Sequence, residues 1–393
     1  MSGPNPLIYF DNAATSFPKP PGVAAAMEEC LTRLAVNPGR SGFDLSLEAG
    51  RLVDGVRGRL DRLFNNPAAD PDRTVFTANA TGALNLALQG LCRPGDHVVS
   101  TVMEHNSVLR PLFMMEKTGI ITHDLAACGE DGRVDPATVE ALLRPSTRMV
   151  VMTHASNICG AVQPVAEIGA LCRDRGLVLL LDAAQTAGAI PVDMAELRVD
   201  LVAFTGHKSL LGPTGIGGLV VGPDVEIRSS AWGGTGVQSA LREHPDDFPW
   251  KLETGTLNTV GIAGLAASLD WLEQQGMEAL HLRVCALADR FLAGCAALDG
   301  VRVHGFGTTD PTKLMPGHLP VLSVTIAGRT PEEVGLFLDA DWNIGVRTGL
   351  QCAPLAHAAL GTAPEGSVRF SFGPFNTELQ IDTALDALAD LAP

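Results

Sequence analysis

The chain has 393 residues, 46% hydrophobic and 18% charged, with a formal net charge of −16. That length exceeds what a single hydrophobic core usually serves, so two globular domains are expected. The acidic balance argues against nucleic acid or an anionic membrane as the main partner, since both call for concentrated Lys and Arg, but it leaves room for a local phosphate site.

The start, Met1-Ser-Gly-Pro-Asn-Pro6, has neither the basic nor the apolar part of a leader. Every apolar run is broken by charge or proline before it reaches spanning length, so a cytoplasmic protein without membrane contact is expected. Eight cysteines (Cys30, Cys92, Cys128, Cys159, Cys172, Cys285, Cys295 and Cys352) are scattered without a C-x-x-C pair, which fits a reducing compartment. The histidines show no metal-ligand spacing, and no metal site is expected.

From about Pro21 to Ile262 helix-like and strand-like runs alternate. In chain order they include a helix over Ala83–Leu91, a strand over Val98–Thr101, a helix over Ser107–Lys117 and a strand over Met149–Thr153. A helix over Val165–Arg175 and strands over Val178–Leu181, Leu201–Phe204 and Leu219–Val221 follow. The alternation predicts an α/β fold with a mostly parallel sheet covered on both faces. Val237–Trp250, charged and with two prolines, reads as an irregular loop. After Gly261 two helical patterns, Ile262–Gln275 and Glu278–Leu298, lead into a smaller α+β region with strands near Val321–Ile326 and Val368–Phe372.

The most informative stretch is Leu201-Val-Ala-Phe-Thr-Gly-His-Lys-Ser209, an apolar strand that ends on a lysine. Only Lys19, Lys117, Lys208, Lys251 and Lys313 occur in the chain, so a lysine at a strand mouth suggests an amine used for chemistry. Leu177-Val-Leu-Leu-Leu-Asp182 is a second apolar strand, ending on a carboxylate, with Gln185 just beyond. Together they suggest a lysine imine with a pyridine cofactor whose ring nitrogen faces Asp182. Each alone has an ordinary reading, a helix cap for Asp182 and a solvated loop lysine for Lys208.

Thr77-Ala-Asn-Ala-Thr81 opens a helix whose free N–H groups suit a phosphate, or Thr81 simply caps it. His105, in Met103-Glu-His-Asn-Ser107, stands at a strand end where an imidazole can stack on a heteroaromatic ring, or serve as a hydrogen-bonded structural group. Asn157 has a similar position and could donate to a ring hydroxyl. Cys352 lies on the glycine-flanked loop Gly345-Val-Arg-Thr-Gly-Leu-Gln-Cys352, near Arg347, where positive charge favours a thiolate. Arg369 inside an apolar strand is costly to bury unless paired, and a substrate carboxylate would pair with it.

These motifs in this order resemble the cysteine desulfurases of the class V aminotransferase family, which depend on pyridoxal 5′-phosphate. The resemblance runs from Tyr9-Phe-Asp-Asn-Ala-Ala-Thr15 to Phe375-Asn-Thr377 and rests most on Asp182-Ala-Ala-Gln185, Gly206-His-Lys208 and Arg347-Thr-Gly-x-x-Cys352. The short span from Cys352 to Arg369 looks like the SufS and selenocysteine lyase group rather than the IscS and NifS group. The resemblance implies a fold-type I homodimer. Residues 18–270 would form the large cofactor domain, and 271–393 with the N-terminal segment 1–17 the small one carrying the cysteine loop.

It also implies that Lys208 carries the cofactor, Asp182 binds the ring nitrogen, Gln185 and Asn157 the ring oxygen, and His105 stacks on the ring. Thr81, Thr205 and His207 would hold the phosphate, with Thr256 of Glu253-Thr-Gly-Thr256 reaching the neighbouring subunit's phosphate. Arg369, with Arg347 and Asn157 nearby, would bind the substrate, and Cys352 would take sulfur from L-cysteine and pass it to an acceptor protein, as in iron–sulfur cluster assembly. The group's histidine before the cysteine is replaced by Gln351, and one of two adjacent phosphate-loop threonines by Ala80. A selenocysteine lyase or a cystine C–S lyase shares this scaffold. A non-catalytic paralogue that binds a sulfur carrier is a reading of another class, against which intact Lys208, Asp182 and Cys352 argue.

Overall fold

The structure, a computed structural model, describes residues 6–39, 42–307 and 312–392, so most of the start read above, Met1 to Pro6, lies outside the described residues. The strands in chain order are β1 (Ile8–Tyr9), β2 (Thr74–Thr77), β3 (Asp96–Thr101), β4 (Ile121–Ala126), β5 (Thr147–Thr153) and β6 (Val178–Asp182). They continue with β7 (Leu201–Thr205), β8 (Gly217–Val221), β9 (Val301–His304), β10 (Val321–Ile326), β11 (Ile344–Gly345) and β12 (Val368–Ser371).

Seven strands form one sheet in the order β2-β8-β7-β6-β5-β3-β4. The pairings between β4 and β7 are all parallel, and β8 alone runs against its two neighbours. The reason lies in the connections. Helices Asn106–Lys117, Pro136–Leu142 and Val165–Asp174 link successive parallel strands, whereas no helix separates β7 from β8 and the chain must turn straight back. That return loop is the one that carries Lys208.

Alternate residues of the central strands enter different cores. Val150, Leu179, Leu181 and Val202 face one cluster, and Val151, Leu180, Leu201 and Ala203 face the other. A sheet covered by helices on both sides needs apolar residues at every position, which is why these strands read as unbroken apolar runs. A further core gathers Phe10, Phe291, Phe370 and Phe372 around the antiparallel sheet β12-β10-β9. The N-terminal β1 joins this region by pairing with β11, Ile8 opposite Ile344.

Between Val221 and Thr259 the chain forms neither helix nor strand, in keeping with the composition of Val237–Trp250. Among the described residues no helix is long and apolar enough to cross a membrane.

Candidate active site

The ends of β5, β6 and β7 lie side by side, Thr153 opposite Asp182 and Asp182 opposite Ala203. Sheet order reverses direction between β3 and β5, since β4 lies outside β3 while β5 to β7 run the other way. Loops leaving such neighbouring strands part from each other and open a crevice, the usual ligand site of an open α/β sheet. Here the crevice is a cleft of about 960 Å³, partly open to solvent. Every predicted site residue except Thr256 lines it. Thr256 lies on an exposed loop elsewhere.

Asp182 is buried at the end of β6, where one carboxylate oxygen accepts from the Ala184 N–H at 2.9 Å. Burial pushes its pKa up, against the pull of that N–H, the Lys208 ammonium and the Ser107 hydroxyl. Lys208 is pushed down to about 8, chiefly by removal from bulk water, with Asp182 resisting. An amine so placed is partly neutral near physiological pH, as imine chemistry and proton transfer require. His105 caps the helix Asn106–Lys117, its Nδ1 accepting from the Ser107 N–H at 3.0 Å. That bond puts the imidazole proton on Nε2, and burial, reinforced by Lys208, holds the pKa near 4, so the ring is neutral. Ser107 thus touches both His105 and Asp182, a role that its sequence motif did not signal.

One corner of the cleft suits an oxyanion. The helix Ala80–Leu91 begins there, and its cap is Asn79, whose side chain accepts from the Gly82 N–H at 2.9 Å. The expectation that Thr81 could cap it is corrected. Thr81 sits in the first turn and lines the cleft, and the Asn79 side chain occupies the capping position. Thr205 Oγ1 and His207 Nδ1 are buried here without a hydrogen-bond partner. Gly217 allows the approach of β8 to this helix start, since a Cβ on it would lie 2.8 Å from the Asn79 Cα.

The opposite wall comes from the small sheet. Arg369 on β12 is buried, and Arg347 and Arg369 exchange main-chain hydrogen bonds that set them side by side. Arg369 is already paired within the chain. One Nη donates to Asp11 at 2.6 Å and the other to the Asn157 oxygen at 3.0 Å, while Nε has no partner. Asp11 therefore offsets the burial cost that a substrate carboxylate was invoked to explain, and the guanidinium still borders the cleft. Asn157 in turn donates to the Gln351 main-chain oxygen at 2.9 Å, so its side chain serves the cysteine loop.

Cys352 is exposed and lines both the cleft and a neighbouring groove. Gln351 and Cys352 both have left-handed backbones, φ 39° and 63°. The segment back to β12 is a single short helix, Pro354–Ala359, and a turn closed by Gly366. A Cβ at Gly366 would come within 2.1 Å of the Gly349 oxygen, so only glycine permits so short a return. Cys159, two residues from Asn157, is fully buried in the core, with its thiol pKa pushed up by burial.

Residues 8–384 match the family described as aminotransferase class-V. A protein named probable cysteine desulfurase from Methanothermobacter thermautotrophicus is 34% identical over 98% of this chain and 94% of its own. Cysteine desulfurase IscS of Pseudomonas entomophila is 33% identical, with the same coverage of each chain. Among solved structures, the apo form of a cysteine desulfurase from Thermococcus onnurineus superposes with a TM-score of 0.88 at 30% identity, covering 98% of this chain and 94% of that one. The chain belongs to the class V aminotransferase family.

The cofactor that this family implies, pyridoxal 5′-phosphate, can be tested against the residues present. Its phosphate needs donors, and the cleft has two buried unpartnered polar atoms beside a helix N-terminus. Its pyridine nitrogen needs an anion, and Asp182 is a buried carboxylate at a strand end, with Lys208 lining the same cleft. The residues fit the group. Besides Ser107, sequence reasoning missed Asp11 and His357, which touch the cleft only through Arg369 and Gln351.

Proposed function

We propose that this protein is a pyridoxal-phosphate-dependent cysteine desulfurase that converts L-cysteine to L-alanine and leaves the sulfur on Cys352. The observation that carries the reading is that Lys208, Asp182 and Cys352, far apart in sequence, line one cleft. Lys208 Nζ would hold the cofactor, Asp182 the pyridine nitrogen, Gln185 and Asn157 the ring oxygen, and Thr81, Thr205 and His207 the phosphate. Neutral His105 would lie against the ring. The bound cofactor supplies an electron sink conjugated with the substrate α-carbon.

Lys208 Nζ, as a partly neutral amine, would take the substrate α-proton. Its pKa of about 8 leaves enough neutral amine to accept it and enough ammonium to return it. Arg369 and Arg347 hold the carboxylate and so orient the Cβ–S bond toward Cys352. The Cys352 thiolate attacks the substrate sulfur. An S–S bond forms as the Cβ–S bond breaks, the electron pair stays with the carbon skeleton, and protonation of that carbon completes alanine. Enzyme thiol plus cysteine thus becomes enzyme persulfide plus alanine, with no outside oxidant. A sulfur-acceptor protein would take the persulfide sulfur in turn.

The functional unit we propose is a homodimer in which Thr256 serves the neighbouring subunit's phosphate, which accounts for its exposure away from its own cleft. The large unit would span 18–270, and the small one 271–393 with the N-terminal segment. Product analysis with L-cysteine, cystine and L-selenocysteine tests the reading. Alanine and a Cys352 persulfide from cysteine support it, while pyruvate from cystine alone overturns it. The purified protein should be yellow, and Lys208→Ala should lose the band.

A further inference from the structure

The peptide linking His207 to Lys208 is held from outside the cleft by the segment Thr15–Lys19. The His207 carbonyl oxygen receives the Ser16 N–H at 2.9 Å, the Ser16 hydroxyl and the Thr15 hydroxyl at 3.1 Å each, and the Lys19 ammonium at 3.0 Å. Lys19 also donates to the Ser16 hydroxyl at 2.7 Å. Tyr9, the only tyrosine in the chain, ties this segment down by donating to the Thr15 oxygen at 2.9 Å.

A carbonyl oxygen has two lone pairs, so the three donors of Thr15 and Ser16 already satisfy it. The ammonium is surplus to that need. It is also costly, because half-burial drags the Lys19 pKa down to about 8, and no carboxylate pairs with it among the described residues. A desolvated cation aimed at a satisfied carbonyl calls for a role at the neighbouring residue, and that residue is Lys208.

We propose that Lys19 is a positioning residue for Lys208, its ammonium locking the His207 carbonyl and thereby the point from which the Lys208 side chain springs. The inference rests on Lys208 as the reacting amine. A charge-assisted bond is stronger and shorter-ranged in its tolerance than a neutral one, so it fixes the peptide more tightly than the hydroxyls alone. Tightness matters because Nζ must reach two different atoms in one turnover, and a misplacement of about 1 Å can cost a hundredfold in rate. Lys19 itself does not line the cleft and touches no reacting atom.

The test compares Lys19→Met with Lys19→Arg in the cofactor-loaded protein, with borohydride reduction and peptide mapping of the unmutated protein as its reference. Lys19→Met should lower kcat for alanine about tenfold with KM changed less than about twofold, since binding groups are untouched. Lys19→Arg, which can donate to the same oxygen, should recover most of the rate. A second readout needs no turnover: apoprotein mixed with pyridoxal phosphate should form its reducible Lys208 adduct several-fold more slowly in the Met variant, and near the normal rate in the Arg variant. Wild-type kcat and adduct formation in Lys19→Met would overturn the proposal. So would equal losses in both variants accompanied by equal falls in melting temperature, which would assign Lys19 to packing. Failure of the underlying reading is separate: it shows as label on a lysine other than Lys208 in the unmutated protein, and it removes the clamp's purpose with it.

Discussion

His357 Nε2 lies 2.8 Å from Gln351 Oε1, and both residues are buried behind the exposed Cys352. The histidine donates there because an amide oxygen can only accept; its Nδ1 contacts the Thr362 hydroxyl at 2.7 Å, and burial keeps the ring neutral with a pKa near 4. Gln351 spends its amide N–H groups on the Ser367 and Arg347 oxygens. Gln351 is thus a fully bonded anchor, and it holds two consecutive left-handed residues of the cysteine loop.

That arrangement predicts the result of His357→Ala. The change leaves Gln351 Oε1 without its partner, removes the ring contact of the Thr362 hydroxyl and opens a cavity, at a cost of about 2–4 kcal/mol. Urea unfolding should show the loss. Cofactor content should not change, because Lys208 and Asp182 stand on other elements, while sulfur transfer falls as Cys352 leaves its place. Normal persulfide formation in this variant would show that the anchor is not needed.

The large sheet was legible because its central strands are apolar on both faces and lead into chemistry-bearing residues, so Met149–Thr153, the strand end at Asp182 and the loop lysine Lys208 just beyond β7 emerge directly. β4 was passed over because Thr122, His123 and Asp124 interrupt it, as an edge strand with one neighbour allows. The 20-residue helix Asp44–Leu63 was missed as well, its apolar face diluted by arginines and aspartates. The reversed direction of β8 follows from the short loop that carries Lys208, a consequence available in the sequence but not drawn from it. At the site, residues that line the cleft were readable and residues that hold those in place were not. Asp11 reaches Arg369 across 358 positions, and no local pattern encodes a pairing of that range.

Glu104 gives a pH prediction. It is fully buried after β3, with one oxygen accepting from the Thr101 hydroxyl and the Thr153 N–H and the other without a partner. Burial, with a further push from Asp182, raises its pKa from 4.5 to about 8. The folded protein therefore keeps a proton that the unfolded chain loses, and stability from this group is full below pH 4.5 and declines as pH rises toward 8. Glu104→Gln keeps the acceptor and removes the titration. Its urea midpoint relative to the unmutated protein should rise between pH 5 and pH 8, and a difference independent of pH would show that Glu104 is not protonated in the fold.

The composite dimer is tested by complementation. Subunits carrying Lys208→Ala are mixed with subunits carrying Thr256→Ala, each inactive or weak alone. If Thr256 serves the opposite cleft, one site of each hybrid has both residues intact, and random mixing should restore about a quarter of the wild-type activity. Activity no higher than the mean of the two parents would place Thr256 in its own subunit's site or in none.

Cys352 separates the leading reading from its nearest rival. Breaking the C–S bond of cysteine needs a nucleophile that can accept sulfur, and a serine hydroxyl, protonated at neutral pH, is a poor one. Cys352→Ser should therefore nearly abolish alanine formation from L-cysteine. The C–Se bond is weaker and selenium leaves more readily, so L-selenocysteine should still be turned over at a substantial rate. The visible band should not change, since Cys352 stands on the small-sheet wall and Lys208 on the β7–β8 loop. Cys159→Ser is the control, because its fully buried thiol has no path to substrate and is pushed away from the thiolate form. Should Cys352→Ser desulfurate cysteine at the wild-type rate, the exposed loop thiol is not the sulfur acceptor.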